Sequence, residues 1–273
     1  MKVDYDKSSF VEALKTVGIS RRQAVFVHSN LGYLGIPEGG MHQKGVVSLA
    51  LDSIFEVIGA EGTLCLPAFT YSFCKKEIFD PKRTLSSGMG LFTDYVQGTG
   101  FEGFTRTQDP IFSVLLRGGK AEELSKTDSH YCFGEDSFWG KFHREQGVLL
   151  NINIMHASST FHHYVERQLK VPYRYDKPFE GILRVNGEDR PQTWYSYVRS
   201  LEKPEDDAQF EVWEKLAMDR GIIKSCPLGR GELQAMESDK VFELVQTELL
   251  NRPDFLTQKC ADYSMRIQPS SNS

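Results

Sequence analysis

Residues 147–169, GVLLNINIMHASSTFHHYVERQL, decide the fold. The opening GVLLNINIM is a short apolar run of the kind that forms a buried strand. Small and hydroxylated residues interrupt it, and TFHHYVERQL then has helical spacing. A buried strand that feeds directly into a helix is the repeating unit of an α/β core.

The same alternation runs outward towards the N-terminus. Residues 8–17 have helical spacing with Ser8 or Ser9 as N-cap, and AVFVHSN (24–30) reads as a strand ending in the loop LGYLGIPEGG. GVVSLALDSIFEVIG (45–59) is a helix stopped by Gly59, and TLCLPAF (63–69) is a second strand closed by Pro67. Residues 71–103 read mostly as loop, with one short helix near Leu91–Val96. FTRTQDPIFSVLLRGG (104–119) is extended around Pro110, and residues 124–142 lead through an aromatic, polar loop into a short helix. Beyond Pro172 the pattern changes to a hairpin, ILRVNGEDRPQTWYSYVR, with Asn186-Gly187 as its turn, and then to two helical segments. These elements predict a three-layer α/β/α sandwich with a mixed sheet and a small C-terminal hairpin and helical addition. With no repeat and no low-complexity linker, residues 1–273 are expected to form one domain.

Composition removes several function classes. The chain is 40% hydrophobic and 25% charged, with a net charge of -5 and no long basic run, so nucleic acid is not an expected partner. No stretch is long and apolar enough to span a membrane, and the N-terminus has no secretory pattern, which makes the cytoplasm the expected compartment. The five cysteines are scattered without a C-x-x-C pair, so neither a disulfide framework nor a thiolate zinc site is indicated.

Chemistry concentrates in HASSTFHHYVE (156–166). His163 and Glu166 are three apart, so on a helix their side chains meet, and the carboxylate would fix the tautomer of the imidazole. That is the base half of a nucleophilic constellation, placed after a strand where α/β sheets hold their ligands. Thr160 stands at the helix start, where free N–H groups can stabilise an oxyanion. The pair alone fits equally a surface ion pair on an ordinary helix. A metal reading has less support: His162 and His163 are adjacent and face apart, and H-E-x-x-H is absent, so no metal is expected. The loop HSNLGYLG could bring backbone amides to a phosphate, yet it matches neither the P-loop nor the dinucleotide fingerprint.

Taken in order, the segments resemble the antibiotic N-acetyltransferases typified by the aminoglycoside 3-N-acetyltransferases, whose fold is not the GNAT fold. The resemblance rests on VHSNLGYLG (27–35), GAEGTLCLPAFT (59–70), RTQDPIFS (106–113), FGEDSFWGKF (133–142), HASSTFHHYVE and LGRGELQA (228–235), matches that run in order from about residue 25 to 248 and so span nearly the whole chain. It implies acetyl-CoA as co-substrate and a small-molecule amine, an aminoglycoside or related amino sugar, as acceptor. His163 would be the general base, Glu166 its orienting carboxylate, and Thr160 an oxyanion contact. Ser29, Asn30, Leu31 and Gly32 would lie along the CoA pyrophosphate and Thr70 near the pantetheine arm, with Arg106 and Ser113 lining the same cleft. His156 and Asp109 would face the substrate. The chain departs from the family's pattern at Ser159, Phe161, Asp109 and Arg167.

Other readings stay open at this point. The acceptor could be an amino sugar of a surface-polysaccharide or natural-product pathway. A Ser-His-Glu hydrolase with Ser29 or Ser158 as nucleophile is the reading from a different class, although G-x-S-x-G is absent. A monomer and a homodimer are both compatible with the sequence.

Overall fold

The first helix is fixed by a capping box rather than by its hydrophobic content. In α1 (Lys7–Thr16) the Asp6 carboxylate accepts from the Ser9 amide at 2.8 Å while the Ser9 hydroxyl accepts from the Asp6 amide at 2.9 Å. The cap is therefore Asp6, and Ser9, expected as a cap, is its partner at the third helical position. The chain continues through β1 (Ala24–Ser29), α2 (Gln43–Ile58), β2 (Thr63–Pro67), β3 (Ile78–Phe79), α3 (Leu91–Gly98), β4 (Thr105–Arg106) and β5 (Val114–Gly118). It then forms α4 (Ala121–Ser125), α5 (Phe138–Arg144), β6 (Val148–Ile152), α6 (Phe161–Leu169), β7 (Arg174–Val185) and β8 (Glu188–Arg199). Last come α7 (Glu211–Asp219), β9 (Lys224–Leu228), β10 (Gly231–Glu237) and α8 (Ser238–Asn251). This computed structural model describes residues 2–86, 88–127, 129–154 and 159–261.

Seven strands form one mixed sheet in the order β4-β5-β2-β1-β6-β10-β9. Its centre, β2-β1-β6, is parallel, and β5 and β10 flank it antiparallel. Both faces are covered, so the three layers expected from the sequence are present. On one face Val25, Val27, Leu64, Leu66, Leu150 and Leu233 pack under α1, α2 and α3. On the other, Phe26, Cys65, Leu116, Leu149 and Met236 pack under α5, α6, α7 and α8. This alternation along each strand is why β1, β2 and β6 read as continuous apolar runs.

One close approach in the sheet needs glycine. Gly118 ends β5 at φ 127°, and a Cβ there would lie 2.0 Å from the Gly62 carbonyl oxygen.

The hairpin β7–β8 forms a separate three-stranded sheet with β3. Asn186 and Gly187 turn it with φ of 53° and 83°, the pair of positive values a type I′ turn demands. The hairpin is longer than its hydrophobic pattern implied, because twelve residues pair on each side. A second hairpin, β9–β10, was not expected from the sequence. It extends the main sheet antiparallel to β6. No described helix is long and apolar enough to cross a membrane.

Candidate active site

Helix α6 starts at Thr160, which takes αR backbone angles and makes no side-chain cap. Phe161 and Val165 anchor the helix in the core. One turn in, the His163 Nδ1–H donates to Glu166 Oε2 at 2.7 Å, as the three-residue spacing predicts. The Glu166 side chain is fully buried, whereas that of His163 is 22% exposed.

Two further groups hold the carboxylate. The Tyr173 hydroxyl donates to Glu166 Oε1 at 2.7 Å, and Arg174 Nε forms an ion pair with Oε2 at 2.9 Å, its side chain 6% exposed. Burial alone would raise the proton affinity of Glu166. The bond and charge of His163, the charge of Arg174 and the Tyr173 hydroxyl outweigh it and hold the carboxyl down at about 2. Glu166 is thus a fixed anion, and the proton on Nδ1, assigned from this geometry, leaves Nε2 as the acceptor atom of the imidazole. The ring sits edge-on to Phe133 at 5.7 Å and tilted to Phe210 at 6.4 Å.

His162 faces the other way. Fully buried, it stacks on Phe210 at 4.6 Å, meets Trp213 edge-on at 4.3 Å and bonds the Ser159 carbonyl through Nδ1 at 3.0 Å. Burial pulls its titration down to about 4, so it is a neutral core histidine. The adjacent histidines therefore share no ligand.

The loop after β1 lies beside the end of β6, since the Asn30 amide donates to the Ile152 carbonyl at 2.9 Å. Asn30 and Gly32 are exposed and Ser29 is half-buried, while the Leu31 side chain is core. Any contact of Leu31 with a ligand would have to come from its backbone. Just inside the strand ends, His28, Asn151 and Gln234 stand in register on the α6 side of the sheet. Among the described residues, His28 Nε2, Asn151 Nδ2 and Gln234 Oε1 have no protein partner. Buried polar atoms are rarely left so, and this row offers hydrogen bonds to a bound polar group or water. Burial also pulls His28 down to about 4.

Other expected site residues turn out to be internal struts. The Arg106 guanidinium donates to Ser113 Oγ at 3.0 Å, to the Ala68 carbonyl at 2.7 Å and to the Thr84 carbonyl, and lies over the Phe79 ring at 5.0 Å. Ser113 is fully buried and donates to Ala68 at 2.5 Å. Asp109, expected to face the substrate, is buried, and its Oδ1 accepts from the Ile111 and Phe112 amides at 2.8 and 2.9 Å. The Asp109 carboxylate holds a turn and Ser113 is buried against the Ala68 backbone, whereas Arg106, although bonded inward, also lines a surface pocket with Phe101, Phe104 and Gln108. Thr70 is buried and bonded to Ser72 at 2.9 Å and to the Pro110 carbonyl at 3.3 Å. His156 and Ser158 lie outside the described residues.

Sequence reasoning missed Tyr173, Arg174 and the aromatic walls Phe133 and Phe210. A left-handed Lys170 ends α6, and the chain doubles back there to bring Tyr173 and Arg174 to Glu166.

A family model described as aminoglycoside 3-N-acetyltransferase matches residues 26–249. The SPbeta prophage-derived aminoglycoside N(3')-acetyltransferase-like protein YokD of Bacillus subtilis is 23% identical over 193 residues, which are 62% of this chain and 66% of that protein's length. Two solved structures share the fold. AAC-IIIb in a binary complex with CoASH has a TM-score of 0.76 at 16% identity, covering 91% of this chain and 97% of its own. Sisomicin-bound AAC-VIa has a TM-score of 0.74 at 19% identity, covering 90% and 98%.

Proposed function

This chain belongs to the aminoglycoside 3-N-acetyltransferase family, and from that premise we propose that it transfers the acetyl group of acetyl-CoA directly to an amino group of a cationic amino sugar, with His163 as general base. The observation that carries the reading is the locked dyad: Nδ1 of the partly exposed His163 tied to a buried, charged Glu166, with Nε2 outside that bond.

An amine is largely protonated at neutral pH and must lose a proton to attack a thioester. The ammonium form releases one proton to solvent, and His163 Nε2 accepts a second N–H proton as the free amine nitrogen bonds to the acetyl carbon. Thr160, at the start of α6, would contact the carbonyl oxygen as it gains charge. When the carbon–sulfur bond breaks, the imidazolium returns that proton to the leaving sulfur, so the base is regenerated and CoA leaves as the thiol. General-base assistance of this kind contributes about 10²–10⁴-fold.

Burial raises the thiols of Cys65 and Cys132 far above the usual range and that of Cys74 to about 11, which supports direct transfer over a cysteine-bound acyl intermediate. The orphaned polar row of His28, Asn151 and Gln234 supports a polar group of the donor bound near the strand ends. The likeness to a CoASH complex supports the donor, and the likeness to a sisomicin complex supports the acceptor class. Glu205, Asp206 and Glu211, in the chain segment that carries Phe210, favour a cationic acceptor over an anionic sugar nucleotide. Acetyl-CoA as donor is consistent with action in the cytoplasm.

Thiol release from acetyl-CoA, measured with a panel of aminoglycosides, simpler amino sugars and no amine, tests this. Amine-dependent release that falls about 10²–10⁴-fold in His163→Ala is expected. Release independent of amine would point to a hydrolase, and full activity in His163→Ala would remove the base from the mechanism.

A further inference from the structure

A carboxylate at 2.7 Å makes an imidazole a stronger base, and a buried one does so with little screening. An unpaired carboxylate beside the ring favours the charged imidazolium over the neutral base. The structure supplies a counterweight. Arg174 Nε contacts the same oxygen, Oε2, that His163 Nδ1 bonds, at 2.9 Å against 2.7 Å, and Tyr173 donates to the other oxygen at 2.7 Å. The carboxylate's charge is thereby divided among three partners. With a neutral imidazole the His163–Glu166–Arg174 group has no net charge; proton uptake would leave one uncompensated positive charge beside Phe133 and Phe210.

We propose that Arg174, assisted by Tyr173, is a positioning residue that sets the proton affinity of the catalytic base by drawing charge from Glu166. The base of the β7–β8 hairpin is then part of the proton-transfer machinery. This rests on the reading of His163 as general base.

The remaining charged and titratable neighbours do not duplicate the role. On α6, His162 is held neutral in the core, and Arg167 is committed to Asp176 of β7 through two bonds at 2.9 and 3.0 Å. From β8, Tyr197 donates to the Val171 carbonyl at 3.2 Å, and its proton is held in place by burial and by Glu166. Ahead of α7, Asp207 pairs with Arg199 at 2.7 Å. Arg174 is the cation whose charge acts on both Glu166 and Tyr173. Because the His163 and Arg174 nitrogens share one oxygen, they lie within about 6 Å of each other, close enough for removal of the cation to shift the imidazole by about one to two pH units.

The test uses the full chain with isotope-labelled histidine, following the His163 ring by NMR from pH 5 to 9 without substrate, and the pH dependence of kcat/KM for thiol release in parallel. In Arg174→Gln the His163 midpoint is expected to rise by about one to two pH units, and the acid limb of kcat/KM to rise with it, while Arg174→Lys stays near the wild type. A structural strut would lower activity or stability and leave the midpoint in place. A folded Arg174→Gln whose midpoint is unmoved or lower overturns the proposal. If that variant does not fold, Tyr173→Phe carries the test: a smaller rise supports the proposal, and no rise or a fall overturns it. The ring titration needs no turnover, so failure of the transferase reading shows separately, as an absence of thiol release by the wild type with every amine.

Discussion

Replacing His162 by phenylalanine tests whether the two adjacent histidines really divide into a core residue and a base. His162 is fully buried between Phe210 and Trp213, and burial lowers its titration from 6.5 to about 4. The folded protein refuses a proton that the unfolded chain accepts. Stability from this residue is therefore full above pH 6.5 and drains as the pH falls towards 4. Between pH 7 and pH 5 the loss is about 2 kcal/mol. Phenylalanine keeps the ring packing, loses the bond to the Ser159 carbonyl and removes the unpartnered Nε2, two opposing changes that do not depend on pH. Relative to the wild type, the variant should therefore gain about 2 kcal/mol of stability between pH 7 and pH 5. Urea unfolding followed by far-ultraviolet circular dichroism at half-unit pH steps measures both curves. His28 titrates in both proteins and cancels from the difference. Parallel curves would refute the argument, because they would mean that His162 takes up its proton in the folded state as easily as in the unfolded one.

Three other outcomes follow from particular contacts. Arg106→Lys gives up the fork that ties β4 to Ser113, Ala68 and Thr84, and should lower the unfolding free energy by about 2–4 kcal/mol in urea titrations. Gly118→Ala forces a Cβ into the Gly62 carbonyl at a positive φ and should cost at least about 2 kcal/mol, read as a drop in melting temperature; a change within about 0.5 kcal/mol would contradict the backbone geometry. Glu166→Gln removes the anion that fixes His163 and should reduce kcat for thiol release by about 10²–10⁴-fold in steady-state assays, with wild-type activity in the folded variant as the opposing result.

The layered fold was legible because β1, β2 and β6 are buried on both faces and carry no polar interruption until their ends. The dyad was legible because its two members are neighbours on one helix, where spacing is contact. Strand β9 was not, since KSCPL is mostly exposed at the sheet edge and shows no alternation. Strand β10 contains the buried run Leu233–Met236, but its flanking glycine and glutamates read as loop. Arg106 and Asp109 look like surface charges in one dimension. Only the folding of β4 against β5 reveals that carbonyls and amides of the turn satisfy them. Tyr173 and Arg174 escaped for a similar reason: a chain reversal at Lys170, rather than any periodicity, brings them to Glu166.

The reversal at Lys170 has one more consequence. His163, Glu166, Tyr173 and Arg174 all lie within a dozen consecutive residues, so the proposed proton relay is local to one short peptide segment. The aromatic walls beside it, Phe133 and Phe210, come from distant parts of the chain. Substitutions in those walls can reshape what is admitted to the site without touching the atoms that carry the proton. Chemistry and choice of acceptor are thus written in separate stretches of sequence, and each can drift at its own pace.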